Sequence, residues 1–216
     1  MAITATRPRR RLSPEARRAL ILDHTAEIVA REGVAQLSIE RIGKEAGISK
    51  SLVYAYFPNL TELLRDLYQR EMKQFRRLQS EAASAAKTFE GLVRSITHVY
   101  LSYMHERGML IERLQAEPSV SEARDPTEYS RDRAVDYLTA IVIEHFDLPP
   151  DIARAATDIS FGLPASAGAY LLRSKLDLKT LEDLTVTMII GSVVHLKDEY
   201  AVRRQPLKPV PASPAS

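Results

Sequence analysis

The sequence predicts an all-α fold, and three observations carry that prediction. Only 8 of 216 residues are glycine, against roughly 7 in 100 in average proteins, which leaves few residues for β-hairpin turns. Twelve prolines leave the long proline-free intervals 15–57, 59–117, 127–148, 151–163 and 165–205. Helices end before a proline or carry it in their first turn, so these intervals are where helices run. No stretch sustains period-2 alternation. Even the β-branched run Val186–Val194 lies among Leu181, Leu184, Met188, Ser192 and Leu196, whose three- and four-residue spacing is helical.

The first interval holds three helices with legible punctuation. Ser13 is an N-cap, Pro14 a first helical residue and Glu15 a first-turn acid, so a helix runs from about Pro14 to Arg31. Leu22, Ala26 and Val29 give its apolar stripe, widened by Ala19 and Ile21. Gly33 sits just past its end, where a left-handed residue closes a helix cheaply. Ser38 caps a second helix, Ile39 to Ala46, ended by Gly47. Ser49 caps a third, Lys50 to Phe57, stopped by Pro58. Two short helices joined by so tight a glycine turn have the spacing of a helix-turn-helix.

The third helix is too short, and too polar at its start, to be explained by core burial alone. Val53, Phe57 and Leu52 turn inward, which leaves Lys50, Ser51, Tyr54 and Ala55 around the outer side. Such a helix fits a DNA major groove, where Lys50 can donate to guanine O6/N7 and Ser51 can pair with several bases. The caps at Ser38 and Ser49 offer amide groups to phosphates. Tyr54 and Tyr56 can give hydroxyls to phosphates, though Tyr56 can equally pack against the next helix.

Charge supports the same end of the chain. Net charge is +2, but residues 1–58 hold 10 Lys/Arg against 6 Asp/Glu, and the remainder 20 against 22. Arg7, Arg9, Arg10 and Arg11 form a basic arm without apolar periodicity. It is either a solvated terminus or an arm that reaches DNA phosphates or a minor groove.

The stretch Ile21–Leu64 resembles the N-terminal domain of the TetR family of transcriptional regulators. The resemblance rests on Ile21, Ala26, Gly33, Ser38-Ile39, Ile42 and Ala46-Gly47-Ile48-Ser49. It continues through Tyr54-x-Tyr56-Phe57-Pro58-Asn59 and Leu63-Leu64. It implies a homodimer that sets its third helices in successive major grooves of a palindromic operator. A C-terminal helical domain would bind a small-molecule effector and dimerise. Two positions depart from the pattern: Gly43 stands where the family usually has alanine, and Leu60 where it often has a lysine. The basic arm, with Arg9, Arg10 and Arg11, is the expected substitute for that missing phosphate contact.

The expected organisation is a basic arm at 1–13, a helix-turn-helix domain at 14–75, an effector-binding and dimerisation domain at 76–204 and a proline-rich tail at 205–216. Asn59 with Glu62 caps a fourth helix from Leu60 towards Glu81. Later helices are expected at 88–106, 110–116, 127–146, 151–173 with a break at Pro164, and 179–202. Tyr100, Tyr103, Met104, Tyr137, Phe161 and Tyr170 are the candidates for a mostly apolar effector pocket with a few hydroxyls. Val186–Val194 is apolar nearly all round, so it is either fully buried in its own chain or shared with a second subunit. Gly162, Ala165, Gly168, Met188 and Gly191 are the candidates for close approach in a homodimer.

Other classes lack their residues. There is no cysteine, hence no disulfide, thiolate metal site or cysteine nucleophile. No Gly-x-Ser-x-Gly, phosphate-binding glycine loop, Glu-x-x-His or His-Glu-x-x-His occurs, so no catalytic residue, metal site or cofactor is expected. Nowhere do 18 apolar residues run together, and the arginine-rich start is no secretory signal. A cytoplasmic DNA-binding repressor responsive to a ligand is the expectation. An effector-independent DNA-binding protein of the same fold, a nucleoid-associated or cell-division regulator, is the alternative.

Overall fold

A computed structural model of the chain describes residues 12–121 and 126–203. Among the described residues it forms α1 (Pro14–Glu32), a 3-10 turn (Val34–Gln36), α2 (Ile39–Glu45), α3 (Lys50–Tyr56), α4 (Leu60–Ala85) and α5 (Phe89–Gln115). These are followed by α6 (Pro118–Ser121), α7 (Pro126–Phe146), α8 (Pro150–Ser160), α9 (Gly162–Leu171) and α10 (Leu178–Arg203), with no strand. The fold is all-α. The basic arm through Arg11 and the tail from 204 onwards lie outside the described residues.

Side-chain caps start the helices where the sequence puts them. Ser13, Ser38 and Ser49 accept from the amides of Ala16, Arg41 and Leu52 at 3.2, 3.1 and 3.2 Å. Asn59 Oδ1 accepts from Glu62 N at 2.8 Å. Gly33 and Gly47 take φ of 90° and 65°, a region that costs glycine little and other residues more.

Three later helices differ from expectation. The break expected near residue 108 is absent: α5 runs unbroken through Gly108, which is buried. A mid-helix glycine costs roughly 1 kcal/mol, and burial of Leu101, Leu110, Ile111 and Leu114 along the same helix outweighs it. The interruption expected at Pro164 falls at Phe161 instead. Pro164 then lies in the first turn of α9, where a missing amide removes no helical bond. The one-turn helix α6 has no periodicity that would announce it.

The described residues fall into two compact units, the first built from residues up to 77 and from 106 on into α6, the second from residues 78–105 and from 127 on. The sequence reading keeps 106–126 with the second domain. Those residues belong to the first unit because partners far away in sequence hold them there. Arg113 Nη1 donates to Val29 O and Ala30 O, both at 2.8 Å, so α5 caps the end of α1. Arg65 Nε donates to Ser119 O at 2.7 Å. The first unit buries Ile21, Ile28, Val29, Ile42, Val53, Phe57, Leu63, Leu67, Leu110 and Leu114 almost completely. Glu71, a fully buried carboxylate, accepts from Arg70 at 3.1 Å and pairs with Arg107 at 3.5 Å. Buried charge demands such partners.

In the second unit, Leu101 of α5 packs with Ala167 and Leu171 of α9 and Leu181 of α10. Val93 packs with Val186 and Ile189. Val142 and Leu148 pack with Ala153 and Val193, next to the edge-to-face pair Phe89–Phe146 with centroids 4.9 Å apart.

In the first unit, α1 and α2 are fastened by charge. Arg41 grips Glu32 with two bonds of 2.8 and 2.7 Å and reaches Glu45 at 3.1 Å and Gln36 O at 3.2 Å. Arg31 adds a 2.8 Å bond to Glu32. Arg41, and after it Arg31, hold the Glu32 carboxyl down at about 2. A depressed carboxyl stabilises the fold above its ordinary pKa and loses that contribution as pH falls through its folded value. Wild type should therefore lose urea-denaturation midpoint faster than Glu32→Gln between pH 4.5 and 2. Parallel midpoint curves for the two proteins would refute this role.

Candidate nucleic-acid interface

The third helix is two-sided. Val53 and the Phe57 that follows the helix are fully buried, and Leu52 and Tyr56 are half-buried. Lys50, Ser51, Tyr54 and Ala55 face solvent, with Tyr54 45% exposed. Arg18 closes the buried side: its guanidinium lies 5.0 Å from the Phe57 ring centroid and pairs with Asp66.

The position of α3 depends on a close approach by α2. Ile48 N donates to Gly43 O at 2.9 Å. A Cβ on residue 43 would lie 2.9 Å from Ile48 O, 3.5 Å from Lys50 N and 3.6 Å from Ser49 C. The backbone of the turn thus occupies the space a side chain would need.

The predicted DNA residues fall into three groups. Lys50, Ser51 and Tyr54 share the exposed side of α3. Ser38 and Ser49 are spent as hydrogen-bond acceptors at the caps, which leaves their hydroxyl protons to donate. Tyr56 is half-buried. Arg9, Arg10 and Arg11 lie outside the described residues.

Sequence reasoning missed the carboxylate beside them. Glu40, on the exposed side of α2, forms an ion pair with Lys50, whose Nζ also lies 5.8 Å from the Tyr54 ring centroid. Lys50 lowers the Glu40 pKa, and Glu40 raises that of Lys50. Lys44 is exposed on α2 as well, and Ser38, Glu40, Arg41, Lys44 and Glu45 line an open groove. The Arg41–Glu45 pair has i,i+4 spacing that sequence can show; the Glu40–Lys50 pair spans the turn and has no local signal.

The effector candidates differ in exposure. Tyr100 and Met104 meet at Gly168, where an added Cβ would lie 2.9 Å from Tyr100 Cε1 and 3.2 Å from Met104 Cγ. Burial pushes the Tyr100 phenol up. Tyr103 is buried, and Phe161 lies under the Arg131 guanidinium at 5.3 Å. Tyr137 and Tyr170 are about half exposed. Of the small-residue candidates, Gly162 and Ala165 are exposed, Gly191 is half-buried, and Gly168 faces inward. Met188 is 50% exposed, and Ile159, Tyr170, Leu184 and Val194 are exposed as well. His98 Nδ1 lies 2.7 Å from Glu182, and no group of three or more potential metal ligands occurs among the described residues. No described helix is long and apolar enough to cross a membrane.

Gly43→Ala tests the close approach. The added methyl gains up to about 1 kcal/mol of helix propensity, while overpacking costs typically about 1–3 kcal/mol. The obstacle is backbone, so overpacking should win, lowering unfolding free energy by about 1–2 kcal/mol in urea. A variant more stable than wild type would show that the turn yields freely.

Residues 21–67 match the family model described as bacterial regulatory proteins, tetR family. The fatty acid metabolism regulator protein of Bacillus subtilis (strain 168) is 31% identical over 78 residues, which is 36% of this chain and 40% of that protein. The chain covers 31% to 56% of the length of the curated relatives it matches. Among solved structures, a tetR-family transcriptional regulator from Streptomyces coelicolor aligns over 89% of this chain and 87% of its own, with 21% identity and a TM-score of 0.68. The TetR-like regulator LfrR from Mycobacterium smegmatis, in complex with proflavine, aligns over 82% and 96%, with 18% identity and a TM-score of 0.59. At such identities the structural likeness is one of fold. Residues 21–67 thus match the helix-turn-helix segment of the tetR family of bacterial regulatory proteins, and the fold of the described residues is that of TetR-like regulators.

Proposed function

We propose that this regulator is a homodimeric repressor that holds a palindromic operator through α3 and leaves it when a small-molecule effector binds the second unit. The observation that carries the reading is the two-sidedness of α3: a base of buried Val53 and Phe57 beneath exposed Lys50, Ser51 and Tyr54. Lys50 donates to a guanine edge, Ser51 to a neighbouring base, and Tyr54, Ser38 and Ser49 donate hydroxyl protons to phosphates. The basic arm, with Arg9, Arg10 and Arg11, supplies phosphate contacts that the described surface lacks. Glu40, Arg41, Lys44, Glu45 and Lys50 together carry a net of only one positive charge. A DNA target implies that the working protein is cytoplasmic.

The dimer contact is the exposed apolar face of α8, α9 and α10. Ile159, Tyr170, Leu184, Met188 and Val194 are 43% to 76% exposed, beside exposed Gly162 and Ala165 and half-buried Gly191. Scattered exposed apolar residues need no explanation, but a set of this size in one unit favours a partner. The inward-facing Gly168 serves packing within the chain. For the effector site, Tyr100, Tyr103, Met104 and Phe161 supply an apolar lining. The buried Thr139 and Thr157 hydroxyls have no hydrogen-bond partner among the described residues, and buried hydroxyls normally have one, so a polar atom of the effector would satisfy them. Tyr137 and Tyr170, on the surface, drop out of that lining.

Release is a two-state matter. Reading helices must stand one DNA turn apart, roughly 34–36 Å, or a multiple of it. An effector that favours another separation must prefer the DNA-incompetent dimer by a few kcal/mol to relieve repression strongly.

Fluorescence-anisotropy titration with DNA from upstream of the chain's own gene tests the DNA reading. Nanomolar, competitor-resistant binding with a steep salt slope is expected. Binding no tighter than to random duplex would favour the effector-independent alternative, and no binding at low salt would overturn both. Met188→Glu tests the dimer by light scattering, since it sets charge on an apolar contact in both subunits. It should shift the protein to monomer and weaken operator binding at least tenfold. A variant that remains dimeric would refute the assigned face.

A further inference from the structure

The single cation of the reading helix is already occupied by a carboxylate of its own chain. Lys50 is the only Lys or Arg in the sequence of α3. Its ammonium sits on Glu40 of α2 and against the Tyr54 ring. Neither member of the pair is buried, with side chains 52% and 58% exposed. Among the described residues the ion pair of Glu40 is with Lys50, while its neighbour Arg41 is committed to Glu32, Glu45 and Gln36 O. Exposed pairs of this kind are weak and exchange readily, so Lys50 leaves when a better acceptor is presented.

DNA presents two kinds of acceptor. Phosphates are common to every sequence, whereas a guanine O6/N7 edge in register occurs only at a matching site. On any DNA, departure of Lys50 leaves Glu40 unpaired beside a polyanion. A guanine edge that takes the lysine bidentately compensates for that exposure; a phosphate, one among many equivalent positions, compensates less. We propose that Glu40 is a specificity-determining residue, a built-in counter-anion that withholds Lys50 from the phosphates of non-matching DNA. This rests on the DNA-binding reading above and adds to it the regulation of that same surface. Glu40 acts through Lys50 and is a positioning residue, so its signature is a coupling between the two.

The experiment uses the full chain and a random-sequence 30-base-pair duplex, so no operator need be known. Wild type, Glu40→Gln, Lys50→Met and the double variant are titrated by anisotropy from 50 to 200 mM salt, with circular dichroism confirming equal helical content. Each recruited phosphate contact adds about 0.9 to the slope of log affinity against log salt. Glu40→Gln should therefore bind random DNA more tightly at 50 mM and steepen the slope by about one per protomer. That corresponds to an additional three- to four-fold loss of affinity per protomer across the range, about twelve-fold for a dimer. In the Lys50→Met background the same substitution should leave the slope unchanged. A Glu40→Gln slope equal to wild type would overturn the inference, as would equal steepening with and without Lys50, which would mark simple charge repulsion. Failure of all four proteins to bind at 50 mM would overturn the DNA-binding reading itself, and this inference with it.

Discussion

The Ile48 carbonyl oxygen lies 2.9 Å from where the Cβ of residue 43 would stand, and the placement of α3 depends on that closeness. Because Gly43 has no Cβ, α2 settles directly onto the turn that carries Ile48 and Ser49. The left-handed backbone at Gly47 closes the turn, and Val53 and Phe57 are driven fully into the core. With those two side chains buried and Leu52 and Tyr56 half-buried beside them, Lys50, Ser51 and Tyr54 are left exposed. The glycine weakens its own helix by up to about 1 kcal/mol, and the arginine clamp on Glu32 and Glu45 ties α2 back to α1 and to itself.

Charge in the first unit serves two ends that are easily confused. Arg18, Arg41, Arg65, Arg70 and Arg113 are structural: each is bound to a carboxylate or a carbonyl of a distant segment. Where the partner is a carboxylate the positive charge is neutralised locally, whereas the carbonyls that hold Arg113 leave its charge in place. The lysines exposed on α2 and α3 are Lys44 and Lys50. A count of basic residues therefore overstates the field available to a polyanion, and the pairing of Lys50 with Glu40 reduces it again. Specific recognition profits from such restraint, since sequence-independent affinity is almost wholly a matter of uncommitted cations.

The second unit is organised around small residues and apolar contacts. Gly168 lets Tyr100 and Met104 of α5 lie against α9, and Leu101, Ala167, Leu171 and Leu181 close over the same contact. The charged pairs between α5 and α10, Arg94–Asp183 at 2.6 Å and His98–Glu182 at 2.7 Å, sit at its margin. Ile159 of α8, Tyr170 of α9 and Leu184, Met188 and Val194 of α10 stay exposed, with Ile159 76% exposed. A helix apolar on more than one side needs more than one partner.

By itself the sequence determined the helices, their caps and their faces. Serine at three N-caps, glycine past two helix ends and proline at the first positions of α1 and α8 act through neighbours a few residues away, so local chemistry sufficed to read them. The division of α3 into buried Val53 and Phe57 and exposed Lys50, Ser51 and Tyr54 was equally legible, because periodicity is local. Only the tertiary structure decided what depends on residues brought together from afar. The continuity of α5 through Gly108 follows from burial, and the return of 106–126 to the first unit from Arg113 meeting the end of α1. The meaning of Gly43 appears only once the turn folds back onto it. Glu40 and Lys50 are ten residues apart with a reversal of the chain between them, and no spacing rule joins a pair that a turn must first bring face to face.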